Sequence, residues 1–273
     1  MHGTIGFVGG GNMAAALIGG LIERGTPAAR IRVADPNGAA CERLIERFSV
    51  AAGPELDAAL AACETIVLAT KPQQVREACH ALAARGPLPG VVISIAAGVR
   101  SADVARWLPA ATAVIRSMPN TPALIGRGIT ALFAAGGVGS SQREQARALF
   151  SAVGEVLWVE DEALLDVVTA VSGSGPAYFF YFMEALEKSA RQLGLGEVAA
   201  HQLALQTCAG AAALALHSAE PLATLRERVT SKGGTTHAAL EALSARAVGE
   251  AIDAAVRAAS ARSRELGDEF GRG

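Results

Sequence analysis

Two regimes of hydrophobic patterning divide this 273-residue chain and predict an α/β protein, a doubly wound sheet at the N-terminal end followed by an all-helical domain. Short β-branched runs alternate with amphipathic segments from residue 4 to about 160. Beyond Asp161 the strand signals stop and apolar residues recur at helical spacing. A glycine turn directly behind the first strand completes the case. The expected domains are 1–161 and 162–273, and a hydrophobic content of 51% is enough to build a core in each.

The strands are expected at 4–8, 31–34, 65–69, 91–95, 113–117, 129–134 and 156–159, where Val, Ile and Thr cluster between turn residues. Helices are expected between them at 12–24, 39–48, 73–84, 102–107 and 141–151. The C-terminal helices are expected at 178–193, 197–216, 222–229 and 236–264. Glycines at 173–175 and 233–234 are read as splitting long helices, with Pro176 in a first turn where its missing N–H costs nothing. Ala209, Ala211, Ala212 and Ala213 allow close helix approach, either within one subunit or in an intertwined dimer.

A net charge of -2 gives no broad basic field, which argues against nucleic acid or an anionic membrane as partner. No run of about 18 unbroken apolar residues suggests a membrane span. The N-terminus has no signal-like segment, and Cys41, Cys63, Cys79 and Cys208 lack metal-ligand or disulfide-scaffold spacing. No metal and a reducing, cytoplasmic location are expected.

The chemistry begins at Ile5-Gly6-Phe7-Val8-Gly9-Gly10-Gly11-Asn12-Met13-Ala14, a G-x-G-x-x-A pattern between a strand and a helix. Gly9 permits the tight turn, Gly11 lets backbone approach a pyrophosphate, and Ala14 allows close helix–strand packing. This is the fingerprint of a Rossmann-type sheet. At the end of the second strand, Asp35 can accept hydrogen bonds from an adenosine ribose and repel a 2′-phosphate, which leans toward NADH. Asp before Pro also initiates turns, and Arg32 or Arg43 can neutralise a phosphate, so both readings stand. Ala69-Thr70-Lys71-Pro72 and Ala96-Ala97-Gly98 end later strands, where such sheets bind ligands. Lys71 is equally read as a solvated loop charge. Met118-Pro119-Asn120-Thr121-Pro122 either closes the same cleft or makes a turn.

Two further segments interrupt the helical part: Val171-Ser172-Gly173-Ser174-Gly175-Pro176-Ala177-Tyr178 and Val229-Thr230-Ser231-Lys232-Gly233-Gly234-Thr235-Thr236. Glycines and hydroxyls at helix starts leave backbone N–H groups open to an anion. Together with the fingerprint, these segments make the chain resemble the pyrroline-5-carboxylate reductase family along essentially its whole length. The resemblance implies a Rossmann domain joined to an all-helical dimerisation domain, and dimers assembled into larger oligomers. It implies hydride transfer from NADPH or NADH to the C=N bond of 1-pyrroline-5-carboxylate, giving L-proline. Val8, Gly9, Gly10, Gly11, Asn12, Met13, Asp35, Ala69, Thr70, Lys71, Pro72, Ala96, Ala97 and Gly98 would contact the cofactor. Ser231, Lys232, Gly233, Gly234, Thr235 and Thr236, with Ser174, would line the substrate pocket.

Within that frame the amides of Gly233, Gly234 and Thr235 are expected to bind the substrate carboxylate. Thr236 is expected to orient the ring nitrogen, with an alternative role as a helix N-cap. Thr236 and Ser174 are the candidate catalytic residues. His237 is read as a surface residue or a proton shuttle, and the run Tyr178, Phe179, Phe180, Tyr181, Phe182 as core or dimer interface. A β-hydroxyacid dehydrogenase is the rival enzyme class. It would place an asparagine four residues after a catalytic lysine, where this chain has Lys188 and Gln192. A dinucleotide-binding module without turnover is the rival outside enzymes.

Overall fold

Four apolar residues, Ile5–Val8, form β1 in the middle of a sheet whose every position on that strand is buried. The structure, a computed structural model, describes residues 3–272. In chain order the first part contains α1 (Asn12–Glu23), β2 (Ile31–Ala34), α2 (Gly38–Phe48), β3 (Ala51–Gly53), α3 (Ala58–Ala61), β4 (Thr65–Leu68), α4 (Val75–Ala83), β5 (Val91–Ser94), α5 (Ser101–Trp107), β6 (Ala113–Met118), β7 (Gly128–Ala134), α6 (Ser140–Ser151) and β8 (Gly154–Trp158). There follow α7 (Leu164–Val168), α8 (Gly175–Gln192), α9 (Glu197–Leu216), α10 (Leu222–Arg228), α11 (Thr235–Ala245) and α12 (Val248–Gly271).

Among the described residues the sheet has eight strands in the order β3-β2-β1-β4-β5-β6-β7-β8. Pairing is parallel from β3 through β6, with Ile5 opposite both Ile31 and Thr65. Successive side chains on a strand point to opposite faces, so each strand serves two cores. Phe7, Val33, Val67, Ile93 and Ile115 pack with Leu17, Ile18 and Leu21 of α1 and with Leu149 and Phe150 of α6. Val8, Ala34, Ile66, Leu68, Val92 and Val114 pack with Val75, Cys79 and Leu82 of α4 and with Val104 and Trp107 of α5. This is the doubly wound arrangement expected.

Two features of the sheet depart from expectation. β7 runs antiparallel to β6, with Ile115 opposite Ala134, before β8 pairs parallel to β7. Only residues 119–127 join β6 to β7, too few for a parallel crossover, which needs a dozen or more. The edge strand β3 is absent from the sequence reading because Ala51-Ala52-Gly53 has no β-branched residue. It forms by backbone pairing with Arg32, Val33 and Ala34 of β2.

The described residues divide into two compact units, one running to Ser174 and resuming at Ala258, the other being Gly175–Arg257. In the first unit the end of α12 lies against the loop after β5. A Cβ at Gly98, where φ is +77°, would lie 3.1 Å from Leu266 Cβ and 3.4 Å from the Phe270 ring. Arg100 pairs there with Asp268 at 2.5 Å. A buried polar network, not anticipated from sequence, holds the same region. Arg116, only 4% exposed on β6, reaches Glu162 at 3.2 Å and Asp166 at 3.7 Å. Glu162 accepts from the Ser101 amide and hydroxyl at 2.7 and 2.6 Å, and Asp166 accepts from the Ser263 hydroxyl of α12 at 2.7 Å.

The second unit is helical, as expected, with one correction. The helix expected at 236–264 is two helices, because Ala247 adopts φ +53° and the amides of Arg246 and Ala247 fold back on Leu243 and Ser244. Phe179, Phe180, Tyr181 and Phe182 are 61, 65, 76 and 49% exposed, which removes the core reading. Among the described residues no helix is long and apolar enough to cross a membrane.

Candidate active site

The turn after β1 folds as its glycines dictate. Gly9 sits at φ +104°, and a Cβ there would lie 2.6 Å from the Ala69 carbonyl oxygen, so the turn nests against the end of β4. Gly11 caps α1 with no side-chain hydrogen bond, which leaves the first-turn amides of a twelve-residue helix open. A Cβ on Gly11 would meet nothing within 4 Å.

These residues border a cleft of about 570 Å³ at the carboxyl ends of β1, β2 and β4. Val8, Gly9, Gly11, Asp35, Ala69, Thr70 and Lys71 all line it, as the sequence reading anticipated. Gln74 and Glu77, with Leu56 beyond β3, line it too and were not anticipated. Leu56 follows the strand that lacks a sequence signal, and the other two lie on helix faces where polar residues read as solvated. The Thr70 hydroxyl oxygen is buried without a partner, a condition that costs about 1–3 kcal/mol until a ligand supplies one. The open Gly11 face, the free amides of α1 and this hydroxyl fit a dinucleotide.

Asp35 is tied into the turn. Its Oδ2 accepts from the Gly10 amide at 2.6 Å and its Oδ1 from the Asn37 amide at 2.8 Å. Asp35 therefore builds the turn, as one reading had it, and also lines the cleft. Arg32 and Arg43 do not line the cleft, and Lys71, exposed, is the one cation among the described residues that do. Asn12 and Met13 begin α1, and Pro72 opens a short 3-10 turn. Ala96, Ala97 and Gly98 follow β5. Ala96 and Gly98 are buried, and Gly98 faces the end of α12.

The second-unit segment makes a turn into α11. Gly233 has φ +71°, and the Gly234 amide donates to the Ser231 carbonyl at 3.0 Å. The Gly234 donor is thus used internally, and among the described residues the amides of Gly233, Thr235, Thr236 and His237 have no backbone partner. Gly234, not Thr236, occupies the N-cap, which corrects the alternative role for that threonine. Thr236 is partly exposed, and its hydroxyl has no hydrogen-bond partner among the described residues. Lys232 is exposed, and His237 lies 3.5 Å from Glu241 in an i, i+4 surface pair.

Around Ser174 the expected helix break is absent. Thr169–Gly173 form a wide π turn, Ser174 stays helical at φ -83° and ψ -24°, and its amide donates to the Thr169 carbonyl at 2.8 Å. A proline clashes with the carbonyl four residues back, and a wide turn relieves that clash. The segment is therefore no open helix start, though the Ser174 hydroxyl is free.

A doubly wound sheet with a glycine turn, an acidic residue after β2 and an open cleft at the strand ends defines a dinucleotide-binding protein of the Rossmann class. Residues 162–266 match the family model for pyrroline-5-carboxylate reductase dimerisation, and residues 4–98 the model for NADP oxidoreductase, coenzyme F420-dependent. The chain is 45% identical to a pyrroline-5-carboxylate reductase of Pseudomonas aeruginosa, over 98% of each chain. It is similar to the solved pyrroline-5-carboxylate reductase of Coxiella burnetii, at TM-score 0.92 and 37% identity, over 97% of this chain and 99% of that one. It is also similar to the Plasmodium falciparum pyrroline carboxylate reductase with NADP bound, at TM-score 0.86 and 25% identity, over 97% and 98%. The chain belongs to the pyrroline-5-carboxylate reductase family.

Proposed function

We propose that this protein reduces 1-pyrroline-5-carboxylate to L-proline with a reduced nicotinamide dinucleotide, the last step of proline biosynthesis. The whole-length likeness to the Pseudomonas aeruginosa reductase carries the reading. The bound nicotinamide supplies the hydride, and the protein positions the acceptor and manages charge. Gly9 and Gly11 with the first turn of α1 hold the pyrophosphate, while Thr70 and Lys71 border it. The open amides of Gly233, Thr235 and Thr236 bind the substrate carboxylate through short N–H donors and the positive end of α11. The Thr236 hydroxyl orients the ring nitrogen and its proton, and Ser174 is the second candidate catalytic hydroxyl.

NADPH is the reductant expected from the resemblance, and the Plasmodium falciparum relative holds NADP. The carboxylate of Asp35, held by two amides at the ribose end of the cleft, tilts this chain toward NADH. The exposed aromatic run on α8 and the match to a dimerisation model support a homo-oligomer built from dimers. Four cysteines without disulfide partners fit a reducing, cytoplasmic setting.

The test mixes purified protein, NADH or NADPH and 1-pyrroline-5-carboxylate, with a hydroxyacid plus oxidised cofactor as the control. Imine-dependent oxidation is expected, and hydroxyacid turnover alone would overturn the assignment. Thr236→Val should lower kcat/KM by about tenfold or more with the fold intact. Unchanged kcat/KM would remove Thr236 from the mechanism.

A further inference from the structure

Asn120 lies just after β6, in a segment that reads as either a turn or a cleft border, and only 9% of it is exposed. Its side-chain amide spans two backbones. Oδ1 accepts from the Ile129 amide at the start of β7 at 2.9 Å, and Nδ2 donates to the Ser172 carbonyl inside the π turn at 3.2 Å. The orientation is unambiguous, because a flipped amide would set donor against donor at one end and acceptor against acceptor at the other.

Ser172 is the residue four before Pro176. In a regular helix its carbonyl would accept from the N–H of residue 176, and proline has none. The helix therefore widens, Ser174 reaches five residues back to Thr169, and the carbonyl of Ser172 loses its helical donor. Asn120 supplies that donor. A second contact touches the same turn from the same strand end: a Cβ on Gly173 would lie 2.6 Å from the Met118 methyl, so Met118 packs against Gly173 in the space a side chain there would take. Met118 and Asn120 thus hold the turn by packing and by hydrogen bond.

We propose that Asn120 is a positioning residue for the reduction: it replaces the N–H that Pro176 lacks and so sets the wide turn that presents the Ser174 hydroxyl. The proposal rests on the reading of Ser174 as a pocket residue. The effect of Asn120 passes through the Ser172 carbonyl, and Asn120 is not among the residues lining the cofactor cleft after β1, β2 and β4.

The experiment compares Asn120→Asp, Pro176→Ala, the double variant and Ser174→Ala with the wild type. Asn120→Asp keeps the acceptor for Ile129 and turns the donor into an oxygen facing a carbonyl. Amide exchange at Ser174 should rise and kcat should fall about tenfold, a loss typical of small misplacements of a reacting group. The dissociation constant for NADH should stay within about twofold, since Asn120 does not line the cofactor cleft. Pro176→Ala restores a backbone donor to Ser172, so in that background the aspartate should cost at most about threefold. Asn120→Ser, shorter and uncharged, serves the same comparison where the aspartate variant does not fold. The positioning role is overturned if Asn120 variants keep wild-type kcat and Ser174 exchange while Ser174→Ala is impaired. It is also overturned if the Asn120 penalty is the same with alanine at 176. A fully active Ser174→Ala removes the pocket reading itself.

Discussion

Alanine at Gly9 and at Gly11 should do different things, although the two positions are two residues apart. Gly11 has φ -72° and ψ -174°, a conformation open to any residue, and its Cβ would meet nothing within 4 Å. Gly11→Ala should therefore leave the thermal midpoint within about 2 °C of wild type. Its methyl projects toward the space assigned to the pyrophosphate, and forcing a methyl into packed contact costs about 1–3 kcal/mol. That corresponds to a loss of roughly 5–150-fold in NADH affinity. Gly9→Ala meets a different obstacle. At φ +104° its Cβ would lie 2.6 Å from the Ala69 carbonyl oxygen and 2.9 Å from the Thr70 amide. Strain of about 1–3 kcal/mol and overlap of a similar size fall on the folded protein itself. A midpoint at least about 5 °C lower is expected, along with lost binding. Fluorescence titration with NADH and thermal unfolding at one fixed protein concentration measure both. Wild-type NADH affinity in Gly11→Ala would refute the placement of the pyrophosphate over this turn. A wild-type midpoint in Gly9→Ala would refute the contact argument.

Asp35→Ser should raise the NADPH:NADH ratio of affinities by about tenfold or more, since it removes a unit charge from the ribose end of the cleft. Both affinities should also weaken, because Gly10 loses the acceptor at 2.6 Å, and an unchanged ratio would show that Asp35 only builds the turn. Arg116→Met leaves Glu162 and Asp166 facing each other without their cation and should destabilise the first unit by about 3–5 kcal/mol. Ser263→Ala should cost about 1–3 kcal/mol, with urea midpoints and amide exchange over 258–272 as the readouts; wild-type midpoints in both would show the network to be dispensable. Burial pushes the Cys79 thiol up from 9.0 to about 12. Its folded value lies above its unfolded one, so its stabilising contribution is whole below pH 9 and is lost as pH rises toward 12. Native protein at pH 8.5 should leave Cys79 unalkylated, as mass spectrometry would show, and rapid labelling would contradict its burial.

The central strands and the glycine fingerprint are legible in sequence because their causes are local. β-branched runs suit a sheet buried on both faces, and a turn with positive φ calls for Gly9. What is not legible depends on partners distant in the chain. Ala51–Gly53 becomes a strand only because β2 offers an edge. Ala245, Arg246 and Ala247 favour continuous helix, yet the chain turns at Ala247, and Gly249, two residues on, lies inside α12 rather than at the break. Arg116 reads as one polar residue in a strand. Its function depends on Glu162 and Asp166, some fifty residues later, and on Ser263 beyond the second unit.

Three glycine-rich segments look alike as text, and each behaves according to what surrounds it. At 9–11 the turn abuts β4 and leaves the first amides of α1 unpaired, as the proposed pyrophosphate site requires. At 233–234 the turn spends the Gly234 amide on Ser231, while those of Gly233, Thr235 and Thr236 stay open on either side of it. At 173–175 the same residue types serve packing. Gly173 makes room for the Met118 methyl, and the wide turn accommodates Pro176 while Asn120 satisfies the carbonyl that proline abandons. Glycine supplies permission in all three cases. Whether an open helix end results depends on where the neighbouring carbonyls find their donors, and for Ser172 that donor lies 52 residues away in a side chain.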